Sequence, residues 1–276
     1  MVTAKLGMLH YVLDHVYGAF MHRTKLTPPF FSRGWGGTKL ELLERTIKQL
    51  FPAEVECQNW PPSLIQPAWK TVWETKTACL KEGVFRTPCD PQLLSALPPE
   101  SLMARIAFLA PKFVQPQNMA CVVHLAGGVH AAMVGALHPT PIATLPFLSP
   151  HSAVVAFCEG ILKHATAWEA LRDDLAVQQA AMTLEEVRER MRHVLSLTDV
   201  TRFPIPKNPN AVIFVAATDD GYIPKHSVLE LQRAWPGSEV RWVTGGHVSS
   251  FLLHNGEFRR AIVDGLNRLQ WKEAPL

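Results

Sequence analysis

Short, nearly continuous apolar runs separated by helical stretches constrain the fold of this chain more than any other feature. The clearest run covers residues 210–218, and a second strand-like run follows at 238–244 after one helical stretch at 227–235. A short apolar run without alternation indicates a strand that is buried on both faces, as in a parallel sheet. The β–α–β–α ending therefore predicts an α/β fold with a mostly parallel, doubly wound sheet flanked by helices.

The rest of the chain predicts a single domain over residues 1–276. An N-terminal helical segment at 1–50 is expected to contain helices at 6–20 and, capped by Thr38, at 38–50. A helical region at 152–200, with Thr183 as a cap, forms either a cap over the sheet edge or an ordinary helical layer. The other expected elements are an antiparallel hairpin at 71–87 with Gly83 as its turn, strands at 104–111, 116–126 and 141–147, and one terminal helix at 248–269.

Composition places the chain among packed globular proteins, since 47% of its residues are apolar and 18% are charged. A net charge of +3 argues neither for nor against a nucleic-acid partner, and without a dense Lys/Arg run no such partner is predicted. Five scattered cysteines without a C-x-x-C pair favour a reducing compartment over a disulfide framework. No apolar run reaches the roughly 18–20 residues that cross a bilayer, so no transmembrane segment is predicted.

The first 40 residues combine an amphipathic helix with an excess of basic side chains. Apolar residues recur at helical spacing from Leu6 to Phe20. Asp14 is the single acid in this segment, against five basic residues: Lys5, Arg23, Lys25, Arg33 and Lys39. This pattern is found in mitochondrial presequences, but a basic surface helix of the folded domain is the simpler interpretation. The predicted location is intracellular, either mitochondrial or cytoplasmic.

A carboxylate and a histidine follow two consecutive strands of the predicted sheet. Asp219 and Asp220 come directly after residues 210–218, and His247 comes after the next strand. Loops that follow neighbouring parallel strands emerge at the same edge, so we expect the two groups to meet. In a serine hydrolase the imidazole takes the nucleophile's proton and the carboxylate fixes the imidazole tautomer. Asp220 is the predicted acid because Gly-Tyr-Ile-Pro follows it directly, whereas Asp219 is expected to cap or to face solvent.

The stretch 120–137 has the strand–turn–helix pattern that carries the nucleophile in hydrolases of this architecture. Its turn reads Leu125-Ala126-Gly127-Gly128, without Ser, Cys or Asp. Ser149, Ser152, Ser249 and Ser250 lie in loops or at helix starts, where serine usually caps. No metal or cofactor is predicted, because the histidines match no zinc spacing and the glycines match no nucleotide-binding loop. These histidines are His124, His130, His138 and His151.

Several stretches resemble the alpha/beta hydrolase domain-containing 18 family. The resemblance covers nearly the whole chain, in order. It implies an α/β-hydrolase fold and serine-dependent hydrolysis of an ester or lipid acyl group, with Asp220 and His247 as two members of the triad. The matching stretches are 32–36 (Ser-Arg-Gly-Trp-Gly), 124–127 (His-Leu-Ala-Gly), 220–224 (Asp-Gly-Tyr-Ile-Pro), 234–237 (Ala-Trp-Pro-Gly) and 245–249 (Gly-Gly-His-Val-Ser), with 128–133 and 145–149 similar to plant-like members.

The same resemblance implies an internal deletion. In the family the H-L-A-G strand is followed by T-G-D-H, and a later strand ending in S-M-G-G carries the serine. Here the strand runs straight into Gly-Val-His-Ala-Ala-Met, so the break lies at Gly127–Gly128 and Leu125 occupies the nucleophile position. Two central strands would be missing, through a variant transcript or an incorrect gene model. The strand 120–124 would then join the last three strands and leave the first strands without partners.

Two interpretations of the remaining site follow from the resemblance. His124, Leu125, Ala126 and Gly127 would form the oxyanion region, where a backbone N–H stabilises the tetrahedral intermediate. Alternatively, His124 is a hydrogen-bonded residue of the core. The chain is expected to be catalytically inactive, or else to act without catalysis, by binding acyl ligands or by pairing with a full-length form through open sheet edges.

Overall fold

The computed structural model describes residues 2–23, 27–37, 39–50, 65–88, 91–96, 99–112, 120–124, 128–176 and 182–270. The helices of these ranges are α1 (Val2–Arg23), α2 (Lys39–Leu50), α3 (Pro91–Ala96), α4 (Gly128–Leu137), α5 (Trp168–Ala176), α6 (Leu184–Ser196), α7 (Lys225–Ala234), α8 (His247–Leu253) and α9 (Asn255–Gln270). The strands are β1 (Ala68–Glu74), β2 (Ala78–Arg86), β3 (Met103–Pro111), β4 (Ala120–His124), β5 (Ala143–Phe147), β6 (Ile213–Ala217) and β7 (Glu239–Val243). The predicted cap Thr38 and the turn residues Leu125, Ala126 and Gly127 lie outside the described residues.

A parallel sheet of four strands, in the order β4-β5-β6-β7, forms the centre of the fold. Every residue of β5 and β6 is buried. Along β6, Phe214 and Ala216 pack with α4 and α7 on one face, while Ile213 and Val215 pack with α9 on the other. Side chains of a strand alternate between its faces, so an all-apolar strand supplies both layers. The predicted parallel sheet flanked by helices is confirmed.

A second, antiparallel sheet contains β1, β2 and β3 in that order. Every residue of β1 is exposed. Within the described ranges, none of its strands pairs with the parallel sheet. The first strands of the chain thus lack central partners, as expected. Several of their large apolar side chains face solvent: Trp69, Val72, Trp73, Met103, Ile106 and Leu109.

The turn predicted at Gly83 is wrong, although the hairpin itself is present. The chain reverses at residues 75–77, where Thr75 Oγ1 accepts hydrogen bonds from the N–H groups of Thr77 (3.2 Å) and Ala78 (3.0 Å). Gly83 lies inside β2 opposite Trp69. A Cβ atom on Gly83 would lie 2.8 Å from the Trp69 ring. This glycine marks a close approach of a neighbouring ring rather than a turn.

The single terminal helix predicted at 248–269 is also wrong, because α8 and α9 are separate helices that meet at His254. His254 Nε2 donates a hydrogen bond to the carbonyl of Thr244 at 2.8 Å. Asn255 Nδ2 donates to the carbonyls of Phe251 and Leu252, both at 3.3 Å. Side-chain donors therefore satisfy carbonyl groups that the end of α8 leaves without helical partners.

Helices α5 and α6 of the 152–200 region pack together with Leu40 of α2 around their own apolar cluster. The cap predicted at Thr183 is confirmed: its Oγ1 accepts from the N–H of Glu186, and its own N–H donates to the Glu186 carboxylate at 2.7 Å. This reciprocal pair is a capping box. Between β5 and α5 the chain forms a π-helical turn at Val155–Glu159 and a 3₁₀ turn at Ile161–His164.

The face of α1 that packs against the domain is not the face with its apolar stripe. An amphipathic helix on a folded domain normally buries that stripe. Between residues 7 and 22 of α1, where burial is described, the buried residues are Asp14 and Gly18, which are four positions apart on one face. The apolar residues of α1 lie on the outside, with exposed fractions of 45–61% for Leu9, Val12, Leu13, Val16 and Phe20. Within the described residues, no helix is long and apolar enough to cross a membrane.

Candidate active site

Asp220 and His247 meet at the carboxyl-terminal edge of the parallel sheet. Asp220 follows β6 and His247 follows β7, and these two strands are paired in parallel along their whole length. His247 Nδ1 lies 2.8 Å from Asp220 Oδ2. The side chains of Asp220 and His247 are only 2% and 16% exposed. The structure therefore brings the predicted carboxylate and imidazole together.

The second oxygen of Asp220 is held by the loop that follows it. Oδ1 accepts hydrogen bonds from the N–H groups of Tyr222 and Ile223, both at 2.8 Å. These bonds leave Oδ2 directed at His247. A carboxylate only accepts, so the proton in this contact belongs to Nδ1, and Nε2 carries the lone pair. A histidine in this tautomer can take a proton from a nucleophile at Nε2.

Tyr222 covers one side of the imidazole, with its ring centroid 4.8 Å from that of His247. Burial raises the pKa of the Tyr222 phenol to about 12, and the negative charge of Asp14 adds to the shift. Tyr222 is consequently neutral at physiological pH and contributes packing rather than charge. Asp219 is not part of this pair. Its Oδ2 accepts from Thr218 Oγ1 at 2.6 Å, and its N–H donates to the Gly245 carbonyl.

Sequence reasoning missed Asp14, which lies on α1 and is fully buried. Its Oδ2 accepts hydrogen bonds from the N–H groups of His247 (2.6 Å) and Gly221 (3.0 Å). Its Oδ1 accepts from the N–H of Val248 at 3.0 Å. One carboxylate thus contacts both loops of the site. The available signal was that Asp14 is the single acid of the first 40 residues.

Three of the four serines considered as alternatives form hydrogen bonds with other groups, and the fourth forms none among the described residues. Ser249 Oγ accepts from the Gly246 N–H at 3.0 Å and lies 3.1 Å from His10 Nδ1, so it caps α8 as expected. Ser149 donates to the Pro150 carbonyl, and Ser152 accepts from the Val154 N–H. Within the described part of the chain, Ser250 Oγ has no hydrogen-bond partner. The hydrogen bonds of the described residues include none to Nε2 of His247.

His151 belongs to a second serine–histidine–carboxylate arrangement. Its Nδ1 lies 2.8 Å from Ser227 Oγ, and its Nε2 lies 3.5 Å from carboxylate oxygens of Asp199 and Glu230. Ser227 is fully buried, and its Oγ also accepts from the His151 N–H at 3.0 Å. These contacts anchor the loop after β5 to α7. Among the described residues, no group of three or more His, Cys, Asp or Glu side chains is arranged to hold a metal ion.

The predicted strand–turn–helix unit is present in the backbone. His124 ends β4 and is paired with Phe147 of β5, and α4 begins at Gly128. β4 therefore lies two strands away from β6, which carries the acid. The oxyanion residues predicted at 125–127 are the three that join β4 to α4, and they lie outside the described residues.

The sequence model described as "Alpha/beta hydrolase domain containing 18" matches residues 28–128, 126–180 and 175–268. The chain belongs to this alpha/beta hydrolase family. A solved structure, a hydrolase from Pseudomonas aeruginosa PA01, is 12% identical, with a TM-score of 0.31 over 72% of this chain and 98% of that chain. This TM-score is too low to assign a fold. The α/β-hydrolase fold is assigned from the family match and from the helix-flanked parallel sheet.

The family match is divided at two places in the chain, at residues 126–128 and at 175–180. The first division coincides with the turn between β4 and α4. In an alpha/beta hydrolase this turn is where a nucleophile is expected. Its residues here are Leu125, Ala126 and Gly127, none of which carries a hydroxyl, thiol or carboxyl group.

Proposed function

We propose that this member of the alpha/beta hydrolase family retains the acid and the histidine of a serine hydrolase for ester or lipid acyl groups, but cannot catalyse the reaction. One observation carries the proposal. The Asp220–His247 hydrogen bond of 2.8 Å is formed, while the turn between β4 and α4 reads Leu-Ala-Gly. None of these three residues has a side chain that can act as a nucleophile.

Asp220 and His247 cannot catalyse acyl transfer without a nucleophile. Acyl transfer requires an oxygen or sulfur that attacks the carbonyl carbon while Nε2 of the histidine accepts its proton. The aliphatic side chain of Leu125 has no lone pair with which to attack. Loss of the triad's combined action typically lowers turnover by about six orders of magnitude, and the remaining rate comes from binding and oxyanion effects.

A fluorophosphonate probe tests the proposal directly, because it phosphonylates a serine only where a base activates the hydroxyl. We expect no stoichiometric labelling of the full chain, with mass spectrometry as the readout. Stoichiometric modification of any serine would overturn the claim of inactivity. Ser249 and Ser250 are the residues to inspect first, since they follow His247 most closely in the chain.

A gain-of-function variant tests the position of the missing nucleophile. Leu125→Ser should acquire labelling, and the double variant Leu125→Ser/His247→Ala should lose it again. The matched control is Leu137→Ser, which places a new hydroxyl at the other end of α4. If Leu125→Ser stays unlabelled in a folded protein, or if Leu137→Ser is labelled equally, the assignment of residue 125 is refuted.

We also propose that an internal deletion at Gly127–Gly128 produced this chain. The separation of the antiparallel sheet from the parallel sheet and the division of the family match at 126–128 support it. The genomic sequence decides the origin. An exon boundary at the codons of Gly127–Gly128 supports a spliced form, whereas a contiguous coding sequence there contradicts it.

The exposed antiparallel sheet favours a second candidate function, in which the chain binds acyl ligands or associates with a full-length form through its open strand edges. Unpaired edges and exposed apolar side chains favour association. Here β1 is exposed throughout, and Trp69, Trp73 and Leu109 face solvent. Light scattering and a fluorescent fatty acid test this candidate. A compact monomer that binds no acyl ligand would exclude it.

We propose an intracellular location, mitochondrial or cytoplasmic, because the described cysteines form no disulfide. Cys79 and Cys158 are free thiols. Burial raises the pKa of the Cys158 thiol, which keeps it protonated and poorly reactive. Imaging of the chain with a C-terminal fluorescent tag distinguishes the two compartments, and secretion into the medium would contradict both.

A further inference from the structure

The buried carboxylate of Asp14 is the least expected group in the molecule. Burying a charged or polar group without partners is strongly unfavourable. No ion pair of the described residues includes Asp14. Its partners are instead three backbone N–H groups, those of Gly221, His247 and Val248. The carboxylate therefore depends on the two site loops for its hydrogen bonds, and each loop depends on the carboxylate.

These donors flank the candidate acid and histidine. Gly221 follows Asp220 in the chain, and the N–H of His247 belongs to the histidine itself. The loops share two further bonds, from the Asp219 N–H to the Gly245 carbonyl at 2.9 Å and from the Gly245 N–H to Thr218 Oγ1 at 3.2 Å. Both bonds come before Asp220 and His247 in their loops. Asp14 joins the two loops beyond them, at the N–H groups of Gly221 and His247.

The rest of the inner face of α1 is shaped for this contact. A Cβ atom on Gly18 would lie 2.7 Å from the Ile161 side chain, and one on Gly246 would lie 2.6 Å from Asp14 Oδ2. His10 Nδ1 lies 3.1 Å from Ser249 Oγ in α8. Close approach by glycines and specific polar bonds hold α1 in place, while its large apolar residues face outward.

We infer that α1 is a positioning element of the Asp220–His247 pair, with Asp14 as the positioning residue that fixes both loops. The helix is then part of the folded site. The inference concerns the geometry of the pair, so it does not depend on whether the chain hydrolyses an ester. The hydrogen bonds of the Asp14 carboxylate go to backbone N–H groups, so Asp14 acts on the pair through the loops.

Proton NMR of the full chain at low temperature tests the inference. A histidine Nδ1–H that donates to a buried carboxylate exchanges slowly enough to give a separate downfield resonance. This resonance is assigned by its loss in Asp220→Asn. We expect Asp14→Asn, which keeps the shape but replaces one acceptor oxygen with a donor, to remove or shift the same resonance and to change the apparent pKa of His247.

The matched control is Asp174→Asn. Asp174 also accepts from two backbone N–H groups, those of Trp35 (2.6 Å) and Gly37 (3.1 Å), but it contacts neither site loop. A loss of fold alone would affect both variants, whereas positioning predicts that the His247 resonance responds to Asp14→Asn only. A folded Asp14→Asn protein with an unchanged resonance and an unchanged His247 titration would overturn the inference.

Hydrogen exchange on the unaltered chain covers the case in which Asp14→Asn does not fold. If α1 holds the loops, the N–H groups of Gly221, His247 and Val248 should open together with the amides of α1, with the same free energy of opening. Exchange of the α1 amides without exchange of these three N–H groups would show that α1 detaches while the pair stays formed. That result would refute the inference.

Discussion

The two sheets of this protein differ sharply in the environment of their strands. β6 and β1 are both rich in large apolar residues, yet every residue of β6 is buried and every residue of β1 is exposed. Helices α4 and α7 cover one face of β6 and α9 covers the other. In the described part of the chain, β1 pairs only with β2. Burial of a strand is therefore decided by its neighbours.

The difference also determines where the candidate site can lie. The parallel sheet has helices on both faces, and the loop with Asp220 and the loop with His247 are joined by a side-chain bond and a backbone bond. The antiparallel sheet contains no comparable meeting of polar groups among its described residues. A site needs supporting elements on several sides, and only the parallel sheet supplies them.

Replacement of Phe214 with alanine should produce the largest effect. The ring is 2% exposed, and its centroid lies 6.2 Å from that of Trp235. Truncation leaves a cavity between packed layers, so we expect the free energy of unfolding to fall by about 3–5 kcal/mol. Trp73→Ala in β1 removes an even larger ring, but Trp73 is 43% exposed and lies opposite Leu80 of β2, so the loss should be less than about 1 kcal/mol. Equal losses in urea denaturation would contradict the comparison.

Two glycine substitutions sharpen the comparison at a smaller scale. A Cβ atom on Gly135 of α4 would lie 2.2 Å from Thr144 Oγ1 of β5, which is fully buried. The added methyl group forces a shift within the buried core, so Gly135→Ala should cost about 1–3 kcal/mol of stability. At Gly83 the two nearest atoms belong to the Trp69 ring, which is exposed and can rotate, and the third is Pro67 Cβ at 3.0 Å. Gly83→Ala should change stability by less than about 1 kcal/mol in either direction.

Acid unfolding should reveal the smallest difference, between Glu44 and Glu74. The Lys48 hydrogen bond, helped by His193 and Arg190, lowers the pKa of the Glu44 carboxyl from 4.5 to about 2, although burial opposes the shift. A depressed pKa in the folded state means that the stabilisation is present above about pH 4.5 and disappears as the pH falls toward 2.

Glu44→Gln should accordingly flatten the loss of stability over that pH range. The Lys112 hydrogen bond also lowers the pKa of Glu74 in β1, but this carboxyl is fully exposed and solvent screens the pair. Glu74→Gln should leave the acid limb almost unchanged. Thermal melts of both variants at a series of acidic pH values provide the measurement. An equal change in the pH dependence of stability in both variants would contradict the expected difference between the two carboxylates.

Several features could be predicted from residues close together in the sequence. The apolar run at 210–218 indicated a buried strand, and β6 is that strand. Parallel strands send their following loops to one edge, so the spacing of Asp220 and His247 was enough to predict their meeting. The capping box at Thr183 and Glu186 needed only residues three positions apart.

Other features depended on partners that are distant in the chain. Gly83 looked like a turn because no local pattern shows that the Trp69 ring lies over it. The helix break at His254 depends partly on the carbonyl of Thr244, ten residues earlier. The apolar stripe of α1 suggested burial, whereas the inner face of this helix is the one with Asp14 and Gly18.

The sequence by itself determined the parallel sheet, the acid and the histidine, and the lack of a nucleophilic side chain in the turn after β4. These properties follow from residue type and from periodicity, which act over a few neighbouring positions. Only the tertiary structure decided that α1 turns its carboxylate inward to join residues 221, 247 and 248. Such a bond joins residues more than 200 positions apart, and local preference carries no information about it.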